Sequence, residues 1–207
     1  GVSNSEAPSC APSIAADANG FVTLSWTEGE TGNTDIHVAR FNPNLQLGLG
    51  GWETLGDSLE SGGISGTGHA RDSHVILMTN GPVVTWLDDS SGTTQVYVRR
   101  FENGDWVELE AGSASGSGIS NDVQIDDLTV AGDGTRVAVA WTAFDAQSGI
   151  RQVHLKEYDS AWSGLEGSDT GPGVSGILAG SVDGTLTWNA HPSLAYFNGS
   201  LFVAWQA

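Results

Sequence analysis

Carboxylates dominate the residues able to do chemistry in this 207-residue chain, with 25 Asp and Glu against seven Lys and Arg. They recur in the polar stretches that follow Trp-ended apolar runs: Glu28 and Glu30, Asp88 and Asp89, and Asp145. A second set precedes the apolar run that opens each repeat: Asp72, Asp122, Asp126 and Asp127, and Asp183. Clustered carboxylates with loop carbonyls suit Ca²⁺, which takes roughly 6–8 oxygens. Asp88 and Asp89 are the pair to consider for it. No stretch carries a full alternating Asp/Asn ligand series, so no metal is assigned and Ca²⁺ stays the one cofactor to test. Two carboxyls flanking a cleft can hydrolyse a glycosidic bond, but a chain this acidic offers such pairs by number alone. His69 and His74 flank Asp72, and loop histidines beside acids can hold a metal or a proton. Trp188 stands outside the repeat pattern and offers a sugar or a protein an aromatic surface. The candidate ligand contacts are therefore Trp188, Asp88, Asp89, Glu28, Glu30, Asp145, Asp72 and His69, with no catalytic residue assigned.

The charge limits the partners. A net charge of −18 cannot provide the basic surface that a phosphate backbone requires, so no nucleic acid is expected. Anionic membranes are disfavoured for the same reason, and no apolar run approaches the roughly 18 residues of a spanning helix. An acidic surface suits cations, neutral sugars or solubility in an extracellular medium. The single cysteine, Cys10, excludes an intrachain disulfide and is expected to be a buried filler. No phosphate-binding Gly-Lys-Ser/Thr loop, His-Glu-x-x-His helix or Gly-x-Ser-x-Gly elbow is present.

These side chains need a scaffold, and the sequence describes it four times. Val-Ala-Trp-like runs end at Trp26, Trp86, Trp141 and Trp205, spaced by 60, 55 and 64 residues. A second marker, Gly-Ile/Val-Ser, recurs at Gly63, Gly118 and Gly173, spaced by 55, with Gly1-Val2-Ser3 as a first copy. Two independent markers with one period of about 55 residues indicate propeller blades. Each unit reads as four strands. The first ends in a Gly turn (Asn19-Gly20, Asn80-Gly81, Asp133-Gly134, Asn198-Gly199), which predicts a type I′ hairpin. The second is the Trp-ended strand, the third is Ile/Val-rich, and the fourth carries Trp52, Trp106 or Trp162.

Alternation in the second strand explains why the units would stack. Trp and every second residue before it form a bulky face, while the preceding residue is always small: Ser25, Thr85, Ala140, Ala204. One blade's Trp would lie on the next blade's small face. His37 and His154 are repeat equivalents of Tyr97 and are therefore packing positions. The predicted blades are 1–62, 63–117 and 118–172, with half a blade over 173–207. Two insertions break the regularity: Asn42 to Gly51 in the first unit, and Leu178 to His191, with Trp188, before the fourth. The expected fold is thus all-β, a β-propeller of four-stranded antiparallel blades with about three and a half in this chain. Open blade edges predict that further blades or another chain complete the ring, to about seven.

Pro192-Ser-Leu-Ala195, Phe202-Val-Ala-Trp205, Val96-Tyr-Val-Arg-Arg-Phe101 and Trp106-Val-Glu-Leu109 resemble the repeats of bacterial sialidase-like propellers. The stretch from Ser181 to Trp188 approaches that family's Asp-box, with Asp and Gly adjacent rather than spaced. The resemblance implies the propeller. Sialidase activity would need an arginine triad, which the six arginines do not supply in position. The functional expectation is a non-enzymatic extracellular or cell-surface binding or scaffold propeller, its ligand a glycan or protein at the loop face. The alternative is a glycan-active hydrolase or lyase using acids in the central funnel.

Overall fold

Four sheets follow one another along the chain, each built from strands adjacent in sequence. The computed structural model describes residues 1–3, 5–121, 124–145, 149–175 and 190–206. The first blade comprises β1 (Ser9–Ala16), β2 (Val22–Glu30), β3 (Asn33–Asn42) and β4 (Gly51–Thr54). The second comprises β5 (Ala70–Met78), β6 (Gly81–Asp88), β7 (Gln95–Glu102) and β8 (Asp105–Glu108). The third comprises β9 (Ile125–Gly132), β10 (Val137–Asp145), β11 (Ile150–Tyr158) and β12 (Trp162–Ser163). A two-stranded sheet, β13 (Ala190–Phe197) and β14 (Ser200–Gln206), is the half-blade. All pairings are antiparallel and follow sequence order. The fold is the expected one: three and a half four-stranded propeller blades.

Contacts between β1 and β5, β5 and β9, and β9 and β13 make the first strand of each blade the innermost. The Trp-ended strands carry the stacking. Trp86 is buried with Ile36, Val38, Leu55 and Ile64 of the first blade. Trp141 is buried with Val83, Leu87, Val96 and Val98 of the second. Trp205 packs on Ala140, Val153 and Leu155 of the third. Trp86, Trp141 and Trp205 thus each face the blade before their own. The small residue Ala140 receives Trp205 as the alternation predicts, but from the following blade and not the preceding one, whereas Ser25 is met by the Ser73 hydroxyl at 2.9 Å. Across the sheet three of them meet a ring: Trp26 stacks on His37 and Trp86 on Tyr97, both with centroids 6.0 Å apart, and Trp141 lies tilted on His154 at 5.9 Å. His37 and His154 are accordingly buried packing residues, at 7% and 6% exposure.

The Gly-Ile/Val-Ser marker has a defined task. The outer strands are short, so they cover only one half of the third strand's edge. The connection leading to the next blade covers the rest. In the second blade Ile119 N donates to Val96 O at 2.9 Å, and Val96 N donates to Ser120 Oγ at 3.0 Å. Upstream, the buried Ser113 donates to Val98 O at 3.0 Å while its own carbonyl accepts Val98 N–H at 2.8 Å. Ser58 with Ser65 and Ser168 with Ser175 repeat this clamp on β3 and β11. Each pair of serines therefore replaces about half an outer strand, satisfying backbone groups that would otherwise be left open.

Two expectations are corrected. Only Asn198-Gly199 forms the predicted two-residue turn, with φ of +49° and +77° between paired Phe197 and Ser200. At Asn80-Gly81 the glycine already belongs to β6, paired with Met78. At the other two, an aspartate caps a longer loop: Asp17 accepts Asn19 and Phe21 N–H, and Asp133 accepts Thr135 and Arg136 N–H. Cys10 is not a buried filler. It lies exposed on β1, next to the bulge described below.

Candidate functional site

The inner strands are not regular. In the first, second and fourth units two residues of the inner strand oppose a single Trp of its neighbour: Ala11 and Pro12 face Trp26, Asp72 and Ser73 face Trp86, and His191 and Pro192 face Trp205. Ala11, Asp72 and His191 take left-handed φ of +48°, +53° and +54°. A bulge of this kind re-aims a side chain and often sits beside an active site. In the third blade the ladder stays regular through Asp127, paired with Thr142, and the extra residue is Asp126.

The bulge of the second blade is held from the first. Asp72 N–H, freed from the ladder, donates to Thr27 Oγ1 at 3.2 Å, and Val75 N–H donates to Ser13 Oγ at 3.1 Å. Asp72, Ser73 and His74 then line an axial cavity of about 300 Å³ together with Ala11, Pro12, Ser13, Asp126, Asp127 and Leu128. Three inner strands thus bring three carboxyls and an imidazole to one cleft. Asp126 is paired with Arg151, Nη2 to Oδ2 at 2.5 Å. Asp127 Oδ2 lies 3.0 Å from His191 Nδ1, which ties the half-blade to the third blade. The Asp72 carboxyl is half-exposed, with Arg71 Nε at 3.8 Å.

Burial holds the His74 imidazole below its ordinary pKa, with Asp127 and Asp72 pulling the other way. The folded state therefore favours neutral His74. Its contribution to stability is complete above the unfolded value near 6.5 and is lost as the pH falls below it. We predict that chemical denaturation between pH 7 and 5 will show a steeper loss of stability for the native chain than for His74→Gln. Equal slopes would count against this burial effect.

The residues singled out from sequence separate into groups. Asp72 lies in the axial cleft. His69 and Asp89 meet on the loop rim, Nδ1 to Oδ1 at 2.8 Å, with Arg71 Nη1 3.7 Å from Asp89. This contact, and the bridge of Thr34 to His69, confirm that the loop after the second strand and the connection into the next blade share one face. Glu28 and Asp88 serve the fold. Glu28 accepts the Trp26 indole N–H at 2.9 Å and the Ser9 hydroxyl at 3.1 Å. Asp88 is 1% exposed, and its two oxygens accept Thr67 Oγ1 at 2.5 Å and Ser90 N–H at 2.8 Å. Glu30 ends β2 exposed, and Asp145 ends β10 opposite Ile150. Trp188, Asp122, Asp183 and the Asp-box-like stretch lie outside the described residues. Asp88 and Asp89 engage different partners, Thr67 and Ser90 for the one and His69 for the other, and among the described residues no three His, Cys, Asp or Glu side chains form a metal-holding set. The sequence names Asp127 among the carboxylates and His74 beside Asp72 without carrying either into the candidate contacts, and it gives His191 no role. A signal was available: Asp72, Asp127 and His191 each lie 14 residues before the Trp of their own unit, Trp86, Trp141 and Trp205.

No protein-family model matches the sequence, and no curated protein does. Among solved structures the chain is similar to a thermostable family-43 glycoside hydrolase, with a TM-score of 0.50 and 13% identity over 96% of this chain and 64% of that one. It is similar also to an endo-arabinase from Bacteroides thetaiotaomicron, with a TM-score of 0.50 and 15% identity over 95% of this chain and 69% of that one. A structure from the GH130 family of mannoside phosphorylases matches 77% of this chain and 49% of its own length, at a TM-score of 0.45 and 9% identity. The chain therefore spans from about half to about two thirds of the length of these structures, and its blades are fewer than such a propeller holds. The likeness is one of fold. What the chain shares with sialidase-type repeats is the propeller architecture in general, found here in glycoside hydrolases of other families.

Proposed function

We propose that the axial cleft binds a glycan and that the chain belongs to a glycoside-hydrolase type of propeller, with Asp72 and Asp127 as its working carboxyls. One observation carries this reading: acids from the inner strands of two different blades line the same axial cavity, beside His74. Hydrolysis of a glycosidic bond needs two carboxyls at that bond, one to protonate the leaving oxygen and one to act from the other side. Asp126 is held by the permanently charged Arg151, whereas Asp127 meets only an imidazole, so Asp72 and Asp127 are the freer pair. His191 orients Asp127, and Asp72 is set by its bulge. The glycoside hydrolases of the same fold support the reading by placing carbohydrate chemistry on such a propeller. Scaled by the matched share of those structures, three and a half blades correspond to a ring of about five, not seven. Acting on polymeric glycans would place the protein outside the cell.

A binding-only propeller is the second reading, favoured by the ion pairs that engage Asp126 and Asp127. Incubation with a panel of plant and microbial oligosaccharides, with products separated by chromatography, distinguishes the two. Under the first reading Asp72→Asn and Asp127→Asn each lower turnover about 100-fold or more, the scale of general acid–base catalysis, while the remote Asp57→Asn leaves it unchanged. Saturable binding without cleavage, lost in the same two variants, establishes the second. Absence of both binding and cleavage overturns the axial site.

A further inference from the structure

The blades are near-copies, so buried positions that break the repeat stand out. Two such positions line one cavity of about 380 Å³ on the second blade. Opposite Trp86 stands Tyr97, where the first and third blades place His37 and His154. Two residues beyond Trp86 stands Asp88, where they have Glu28 and Ala143. In the first blade the longer Glu28 reaches back and accepts the Trp26 indole N–H. Asp88 is one methylene shorter, and its oxygens are already engaged by Thr67 and Ser90. Trp86 nevertheless keeps the pose of Trp26, stacked on its cross-strand ring at 19° against 22°. Its indole N–H, on a side chain 1% exposed, has no acceptor among the described residues. Leaving a buried donor unpaired costs about 1–3 kcal/mol and calls for a partner.

The rest of the wall shows what that partner is. Six of its ten lining residues carry hydroxyls, and most of these already donate within the protein: Ser65 to Asp35, Thr67 to Asp88, Ser91 to Thr93 O, and Tyr97 to Gly116 O at 2.5 Å, with Ser90 and Ser115 beside them. No Lys or Arg lines it, and the Asp88 carboxylate disfavours anions. Hydroxyls whose protons are so engaged still offer lone pairs, which match the O–H donors of a polyol and not an anion. We propose that this cavity is a second ligand site, one that takes a small neutral polyol of monosaccharide size with a ligand oxygen accepting the Trp86 N–H. Its volume falls at the lower end of the range for small-molecule sites. None of its wall residues lines the axial cleft, so the site stands whether or not that cleft hydrolyses a glycan.

The test is a titration of the native chain with D-glucose, D-mannose, L-arabinose and glycerol, followed by the indole N–H resonances in NMR. The expected result is a saturable shift of one indole resonance, assigned to Trp86 by its loss in Trp86→Phe. That variant keeps the ring stack and removes the donor, and it should weaken binding about tenfold, while Asp72→Asn leaves binding unchanged. Should Trp86→Phe fail to fold, Ser91→Ala and Tyr97→Phe probe the same wall and should each weaken binding severalfold. No saturable shift with any of the four probes overturns the proposal and assigns the indole donor to ordered water alone. Equal affinity in the wall variants, or loss of binding in Asp72→Asn, overturns it in favour of the axial cleft.

Discussion

Alanine at Trp141 should lower the unfolding free energy by about 3–5 kcal/mol, the usual cost of truncating a fully buried Trp. For a domain of this size that corresponds to a fall in Tm of about 6–20 °C. Trp141 is fully buried and packs between its own blade and the second, among Val83, Leu87, Val96 and Val98. Its removal therefore opens an interface between two blades and does not merely thin one sheet. Trp205→Ala is the informative comparison. Trp205 packs on Ala140, Val153 and Leu155 but is only partly buried, so its truncation should cost about half as much. Guanidinium denaturation of both variants checks the order. Equal losses would mean that the Trp contributes through its own sheet and not through blade stacking.

Gly118→Ala should be nearly as damaging, although it adds a single methyl group. Gly118 has φ +58°, and a Cβ there would lie 2.2 Å from Val96 O. Left-handed backbone costs a non-glycine residue about 1–2 kcal/mol. The contact with a backbone carbonyl cannot be relieved by rotating a side chain, so the loop must move. Movement breaks the Ile119–Val96 bond and the Ser120 contact that close the third strand's edge. A total of about 3–4 kcal/mol follows when these lost bonds are added at about 1 kcal/mol each. Hydrogen exchange should report the loss locally, with faster exchange at Val96 and Val98 than elsewhere in β7. Gly63 and Gly173 place a Cβ 2.1 and 2.2 Å from Ile36 O and Val153 O, so the effect should recur there. Gly116→Ala, two residues away, has the same sign of φ but meets nothing within 4 Å, and it separates backbone strain from collision.

The architecture was legible because it rests on periodic burial. Trp86 and Trp141 recur at one spacing, and residues that repeat in sequence repeat in packing. The type of each strand followed, and so did the role of His37 and His154 as buried ring partners. The site was less legible, for a physical reason. Carboxylates on loops look alike in a sequence, whereas their use depends on register. Asp88 and Asp89 are neighbours, yet one is buried under Thr67 and Ser90 while the other meets His69 on the rim. Asp72 became distinct only through a bulge that turns it to the axis, and no local residue pattern marks that bulge. Two of the three failed turn predictions met a capping aspartate. Asp17 and Asp133 satisfy the loop amides themselves, so the glycine beside them no longer sets the turn type.

The serine clamps have a consequence for the company the protein keeps. A propeller shows its outermost strand edges to the solvent, and a bare edge is a template on which other chains can add strands. In the three full blades the outer strand is cut short and a polar loop lies along the remaining edge of β3, β7 and β11. The perimeter therefore offers little continuous backbone for a foreign strand. Resistance to aggregation is thus built into the connection between blades, and a variant that loosens one clamp should lose solubility before it loses its fold.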